Sequence, residues 1–213
     1  MNLDTIAENR LLWGNNAHGY YEKAEAGMDR QWENTISPFI NQVKIDYSNT
    51  VDLAAGRGRN SIKLLEYATF LTLVDVNEEN LQFTKKRFSE YKNISYIHNN
   101  GKDLQDIQNE SVTFIYCWDA MVHFDIADVC SYVGEFYRIL KPGGIGFCHH
   151  SNYTNGVGLN IRKNPHYRNF MSKDIFNHLV VTRGLKMIDQ KLIAWDGELK
   201  DLDCLSLFQK PTT

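Results

Sequence analysis

From residue 50 onward, short apolar runs alternate with stretches of helical periodicity. The first run ends in a glycine turn, Ala54-Ala55-Gly56-Arg57-Gly58, that leads straight into a helix near Arg59-Asn60-Ser61. A chain with this rhythm folds into parallel strands joined by crossover helices. The candidate strands are 50–54, 70–74, 94–98, 112–118, 145–150, 187–195 and 204–209. Most are continuous Val/Ile/Leu/aromatic runs rather than strict alternations, which places helices on both faces of the sheet. The expected fold class is α/β, a seven-stranded and mostly parallel sheet covered on both sides. Helix ends are marked as well. Asn77-Glu78-Glu79-Asn80 opens one helix, Lys141-Pro142-Gly143-Gly144 closes another spanning 126–140, and Ser172-Lys173-Asp174 caps a third that ends at Gly184.

Two segments stand outside the alternation. Residues 1–48 form a helical, aromatic-rich cap that carries Trp13, Tyr20, Tyr21 and Trp32, ahead of the main domain at 49–213. Residues 151–171 make a long connection of the kind that compact domains keep for function. At 213 residues the chain suits one domain.

Composition removes several function classes. A net charge of -3 gives no broad cationic footprint for a nucleic-acid backbone, so no nucleic-acid partner is expected. Cys117, Cys130, Cys148 and Cys204 are scattered without a CxxC pair, which fits reduced thiols rather than a disulfide framework. The N-terminus carries early acids and no apolar signal core, and no run approaches a membrane span. A soluble cytoplasmic protein is the expectation.

The glycine turn lets the backbone bend sharply and approach a ligand closely, and nucleotide enzymes of many kinds use such a turn. The context narrows it. A second strand ends in Leu73-Val74-Asp75-Val76-Asn77, and Asp75 falls where a ribose-binding carboxylate belongs in a dinucleotide-type half-sheet. The dinucleotide fingerprint itself is not met, because Ser61 stands at its third glycine position.

These residues resemble those of the class I, Rossmann-like S-adenosylmethionine-dependent methyltransferases, over roughly residues 50–209. The resemblance implies S-adenosyl-L-methionine as cofactor. It places the amino-acid part of the cofactor at Asp52, Ala54, Gly56, Gly58 and Asn60, and the ribose at Asp75 with Val76 beside it. Gly101, Lys102, Asp103 and Leu104 resemble the adenine-side loop, and Trp118 and Asp119 the fourth-strand tip that lines the methionine side. Tyr21 and Trp32 are expected in a lid over the cofactor.

Methyl transfer is an in-line attack on a sulfonium methyl, and a hydroxyl acceptor also needs a base. Three histidines fall at strand tips: His123 after the fourth strand, and His149 and His150 ending the fifth. Alternation sends the last two to opposite sides of the sheet. Arg162, Lys163 and Arg168 in the long connection are candidates for holding an anionic part of the acceptor. No metal site is expected. The main reading is methyl transfer to a small-molecule acceptor, a hydroxyl and sugar-like in character. The alternative is a cofactor-binding regulatory or partner protein of the same fold without transferase activity.

Overall fold

The computed structural model describes residues 5–14, 19–195 and 199–212. Seven strands form one sheet in the order β3-β2-β1-β4-β5-β7-β6. They are β1 (Thr50–Leu53), β2 (Leu71–Asp75), β3 (Ile94–His98), β4 (Val112–Cys117), β5 (Leu140–Ser151), β6 (Lys186–Trp195) and β7 (Leu199–Gln209). The first five are parallel, and β7 inserts antiparallel between β5 and β6. Every residue of β1, β2 and β4 is buried, as their unbroken apolar runs require.

Strand order reverses at β1. The chain runs outward through β2 and β3, then returns to place β4 on the other side of β1. The two crossovers leave β1 in opposite directions, so a crevice opens beyond the carboxyl ends of β1 and β4. Open sheets of this kind bind ligands there.

Helices cover both faces. On one side, α7 (Ile126–Ile139) buries Val129, Tyr132, Val133, Phe136 and Ile139, a stripe of helical period. Asp125 caps it by accepting from the Ala127 amide. The helix stops one residue earlier than the sequence indicates, because Leu140 already pairs with Val112 and the Pro-Gly-Gly turn is absorbed into the start of β5. Packed beside it is α8 (Lys173–Thr182), capped by Ser172 as expected. The other face carries α5 (Ser61–Leu65) and α6 (Glu78–Arg87).

The N-terminal segment comprises α1 (Thr5–Gly14), α2 (Tyr20–Ala26), α3 (Met28–Gln31), a π-helical stretch Trp32–Ile36 and α4 (Ser37–Ile40). Its two halves differ. Trp32, Ile36, Phe39 and Ile40 are buried in the core against Tyr116 and Phe147, so this half is part of the sheet's covering layer. The first half lines the crevice, α1 through Asn9 and Trp13 and α2 through Tyr20 and Tyr21. Trp32, expected at the cofactor, is buried at the start of the π-helical stretch, packs on Tyr116 and does not line the crevice.

Gly58, also expected at the cofactor, has a different reason to be glycine. With φ at +74°, a Cβ there would sit 2.6 Å from Phe88 Cε2, so the bare backbone is what lets the turn pack on α6. Among the described residues no helix is long and apolar enough to cross a membrane.

Candidate cofactor and acceptor site

Beyond the carboxyl end of β1 the backbone enters the left-handed region at Ala54 (φ 57°) and Gly56 (φ 56°). That bend turns the Gly56 amide toward β2, where it donates to Asp75 Oδ2 at 2.8 Å. The other oxygen of Asp75 accepts from the Asn77 amide at 2.8 Å and from Asn80 Nδ2 at 3.3 Å. One carboxylate therefore ties together the loops after β1 and β2. Burial raises Asp75 above the usual carboxylate range, and these donors pull against it.

Asp52, one strand residue earlier, is buried and accepts from Ser61 Oγ at 2.6 Å. Burial pushes it up to about 7, with the Asp75 charge adding to the shift and Ser61 opposing it. The carboxyl thus straddles its protonated and ionised forms near neutrality. A cationic ligand favours the ionised form, so its affinity is expected to rise as pH increases through about 7. Titrations with such a ligand at pH 6 and pH 8 check this, and Asp52→Asn should remove the dependence.

The cavity over the turn encloses about 720 Å³ of space, counting its open mouth. Of the residues expected from sequence, Asp52, Ala54, Gly56, Asn60, Asp75, Val76, Trp118, Asp119, Tyr21 and His123 all line it. Among the described residues, three buried polar atoms of its lining residues lack a hydrogen-bond partner: Asn60 Oδ1, Asn80 Oδ1 and Trp118 Nε1. Buried polar groups are costly to leave unpaired, so the wall is built for a polar ligand.

A smaller lobe continues the cavity beside Gly101, Val76, Asn99 and Tyr132. Here Gly101 has φ at +86°, and a Cβ would meet Ile6 of α1 at 2.9 Å. The rest of the expected adenine loop turns away. Lys102 is exposed, Asp103 is engaged with Asn100, and Leu104 is buried in the hydrophobic core, so these three do not line the lobe. Asn100 forms a tight turn with the Lys102 and Asp103 amides that swings those side chains outward.

At the tip of β4, Asp119 sits at φ 52° and accepts from Arg59 Nη2 at 2.6 Å and from Tyr20 OH at 2.8 Å. Burial would raise this carboxyl, but Arg59, His149, Arg168 and His123 together hold it below the usual range. Its backbone amide donates to His149 Nδ1 at 3.2 Å. That assigns the His149 proton to Nε2, 3.0 Å from Asp203 Oδ2, in a close electrostatic contact without hydrogen-bond alignment. Both Asp203 oxygens are gripped by Arg168, through Nε at 2.8 Å and Nη2 at 2.6 Å.

The three candidate bases separate. His123 lines the cavity, donates Nδ1–H to the Tyr167 carbonyl at 2.9 Å and stacks on Trp13 with ring centroids 4.7 Å apart. A carbonyl only accepts, so the Nε2 lone pair is the basic one. Burial, helped by the Arg168 charge, lowers His123 to about 4, so it is neutral at pH 7. His149 is buried between Asp119 and Asp203 and lines none of these cavities. His150 points to the opposite face, as strand alternation dictates. There it bonds Ser206 Oγ and stacks on Phe176 at 4.0 Å, which makes it a core residue rather than a base. Arg168 and Arg162, expected to be open to an acceptor, are committed to Asp203 and Glu8. Arg59, Asn80 and Asn9 were missed. Arg59 stood unassigned within the glycine string, and Asn80 lies five residues beyond Asp75, in the first turn of α6.

A switch-point crevice with a glycine turn and a carboxylate at the tip of β2 defines a nucleoside-binding α/β enzyme. Residues 50–144 match the methyltransferase-domain family. Through that segment the chain is similar to the class I, Rossmann-like S-adenosylmethionine-dependent methyltransferases. A ubiquinone/menaquinone biosynthesis C-methyltransferase of Rickettsia typhi is 31% identical over 131 residues, covering 57% of this chain and 50% of that protein. The chain thus spans about half the length of the curated relatives it matches. Two solved structures share the fold. Geranyl diphosphate C-methyltransferase from Streptomyces coelicolor, in complex with Mg²⁺, geranyl diphosphate and S-adenosylhomocysteine, aligns at TM-score 0.73 and 13% identity over 99% of this chain and 100% of its own. A chain of the complex between the Haloferax volcanii Trm112 activator and a methyltransferase aligns at 0.71 and 19% identity, over 99% of both chains.

Proposed function

We propose that this protein transfers a methyl group from S-adenosylmethionine to a small-molecule acceptor. The observation that carries the reading is Asp75 bonded to the Gly56 amide, inside a buried cavity whose wall presents three unpartnered polar atoms. S-Adenosylmethionine fits that donor and acceptor set. Asp75 would accept from its ribose hydroxyls, and Asn60 Oδ1 and Asp52 would accept from its ammonium. The flat lobe beside Gly101 suits the adenine. When bound, the cofactor supplies an electrophilic sulfonium methyl.

The chain's own residues do the rest. Asp119 is kept ionised by Arg59, and with the faces of Trp13 and Tyr20 it gives a surface attractive to positive charge. The α1–α2 segment acts as a lid: Asn9 donates to the His123 carbonyl and Tyr21 OH donates to the Trp13 carbonyl, which closes the aromatic side chains over the turn. His123 accepts the acceptor's proton at Nε2. That nitrogen, free to take a proton, supports an oxygen acceptor. A carbon acceptor is the second reading, supported by the relatives named as C-methyltransferases.

The test is formation of S-adenosylhomocysteine in an acceptor screen. His123→Ala is expected to lower kcat about a hundredfold, the low end for general-base catalysis because its basicity is reduced, with cofactor affinity preserved. Single-turnover kinetics and a binding titration separate the two quantities. Tight cofactor binding with no product from any acceptor would favour the regulatory alternative.

A further inference from the structure

A second and wider cavity, of about 1250 Å³ counting its open mouth, adjoins the first and shares Trp13, Tyr20, Arg59, Asp119 and His123 with it. Its outer wall is one helical face. Tyr20, Lys23, Ala24, Gly27, Arg30 and Gln31 all line it, at spacings of three and four residues. Ala24 and Gly27 contribute almost no side chain, and that leaves room between the two cations.

The charges on this segment are sorted by face. Glu22, Glu25 and Asp29 turn the other way and engage Arg57, Arg87 and Lys63. Lys23 and Arg30 face the cavity, and neither has a carboxylate within 4.0 Å among the described residues. Deeper in the same cavity lie Arg59 and Arg168, against a single lining acid, Asp119, which Arg59 already engages. Asp119 and Asp203 neutralise those two, so the unpaired positive charge is that of Lys23 and Arg30, a local feature in a chain that is net negative as a whole. A concave, low-dielectric wall of one sign focuses its field on an anion. The remaining wall is aromatic: Trp13, Tyr167 and Trp195, with the Arg168 guanidinium lying 4.8 Å over the Trp195 ring.

We infer that the second cavity binds the methyl acceptor, and that this acceptor is an anionic small molecule with a flat apolar body, its carboxylate or phosphate group held at the mouth by Lys23 and Arg30. The inference rests on the methyltransferase reading. The body lies along the aromatic wall, and its reactive end reaches the shared boundary at Asp119 and His123. This moves the anion-holding role from the 151–171 connection to the helical face of the N-terminal segment.

The test uses the full chain saturated with S-adenosylhomocysteine and four probes, benzoate against benzamide and phenyl phosphate against phenol, titrated by calorimetry in low salt. The anions are expected to bind more tightly than their neutral partners. Lys23→Gln with Arg30→Gln should weaken the anions about tenfold and leave the neutral probes unchanged. Raising salt should reduce the difference. Comparing benzoate with phenyl phosphate assigns the anionic group. Neutral probes binding as well as anions, no anion binding at millimolar concentration, or anion affinity unaffected by the double substitution would each overturn the inference. S-Adenosylhomocysteine is titrated first. If it binds and the anions do not, only this inference falls; if it does not bind, the functional reading falls with it.

Discussion

Asp75→Ala is expected to weaken S-adenosylhomocysteine binding by a factor of about a hundred to ten thousand. The wild-type carboxylate lines the cavity and accepts from the Gly56 and Asn77 amides at 2.8 Å each and from Asn80 Nδ2 at 3.3 Å, a long contact that can give way to a second ribose hydroxyl. Hydrogen bonds to a charged group contribute about 1.5–3 kcal/mol each. Loss of both ribose contacts therefore amounts to roughly 3–6 kcal/mol, before counting the two amides left unpaired at the turn. Equilibrium dialysis with labelled S-adenosylhomocysteine measures the change, and Asp75→Asn should recover part of it because the amide oxygen still accepts. A loss of less than about threefold would show that the ribose is held elsewhere.

The second large effect is on stability. Arg168 and Asp203 form a two-point ion pair in which Asp203 is wholly buried and Arg168 is 1% exposed. Arg168→Ala strands a buried carboxylate, and breaking such pairs by removing one partner costs about 3–5 kcal/mol. For a chain of this length that lowers Tm by roughly 6–20 °C, read by calorimetric melting at pH 7. The pH dependence has a definite sign. Burial opposes ionisation of Asp203, but His149 and Arg168 outweigh it and hold the folded carboxyl well below its ordinary range. The stabilisation is therefore present above the unfolded carboxylate value near 4 and is lost as pH falls through the folded one. Arg168→Ala removes the Arg168 share of that advantage and leaves the His149 share, so the gap to wild type should narrow below about pH 4. Replacing both partners with apolar residues should cost less than replacing one.

The sheet was legible in the sequence because its signals are local. Continuous apolar runs mark buried parallel strands, and Asp125, Ser172 and Gly184 punctuate helices within one turn of their own positions. The inner cavity was mostly legible for the same reason: Asp52, Gly56 and Asp75 occupy strand tips whose order in space follows from the crossover rule. What was not legible depended on long-range geometry. Whether His149 or His150 faces the site is set by the register of β5 on β7, which places His150 opposite Cys204 with Ser206 in reach of its ring. Gly58 needed the position of Phe88, thirty residues away, to be explained by packing. Lys23 and Arg30 carry no motif of their own in the sequence; what sets them apart is that the acids around them turn to the other face.

The central claim is that S-adenosylmethionine is held on the Gly56 turn against Asp75. Calorimetric titration of the purified full chain with S-adenosylhomocysteine, and separately with NAD⁺, tests it most directly. The account predicts one saturable site for S-adenosylhomocysteine, abolished or greatly weakened by Asp75→Ala, and no heat from NAD⁺. Saturable NAD⁺ binding, or S-adenosylhomocysteine binding that survives Asp75→Ala unchanged, would contradict it.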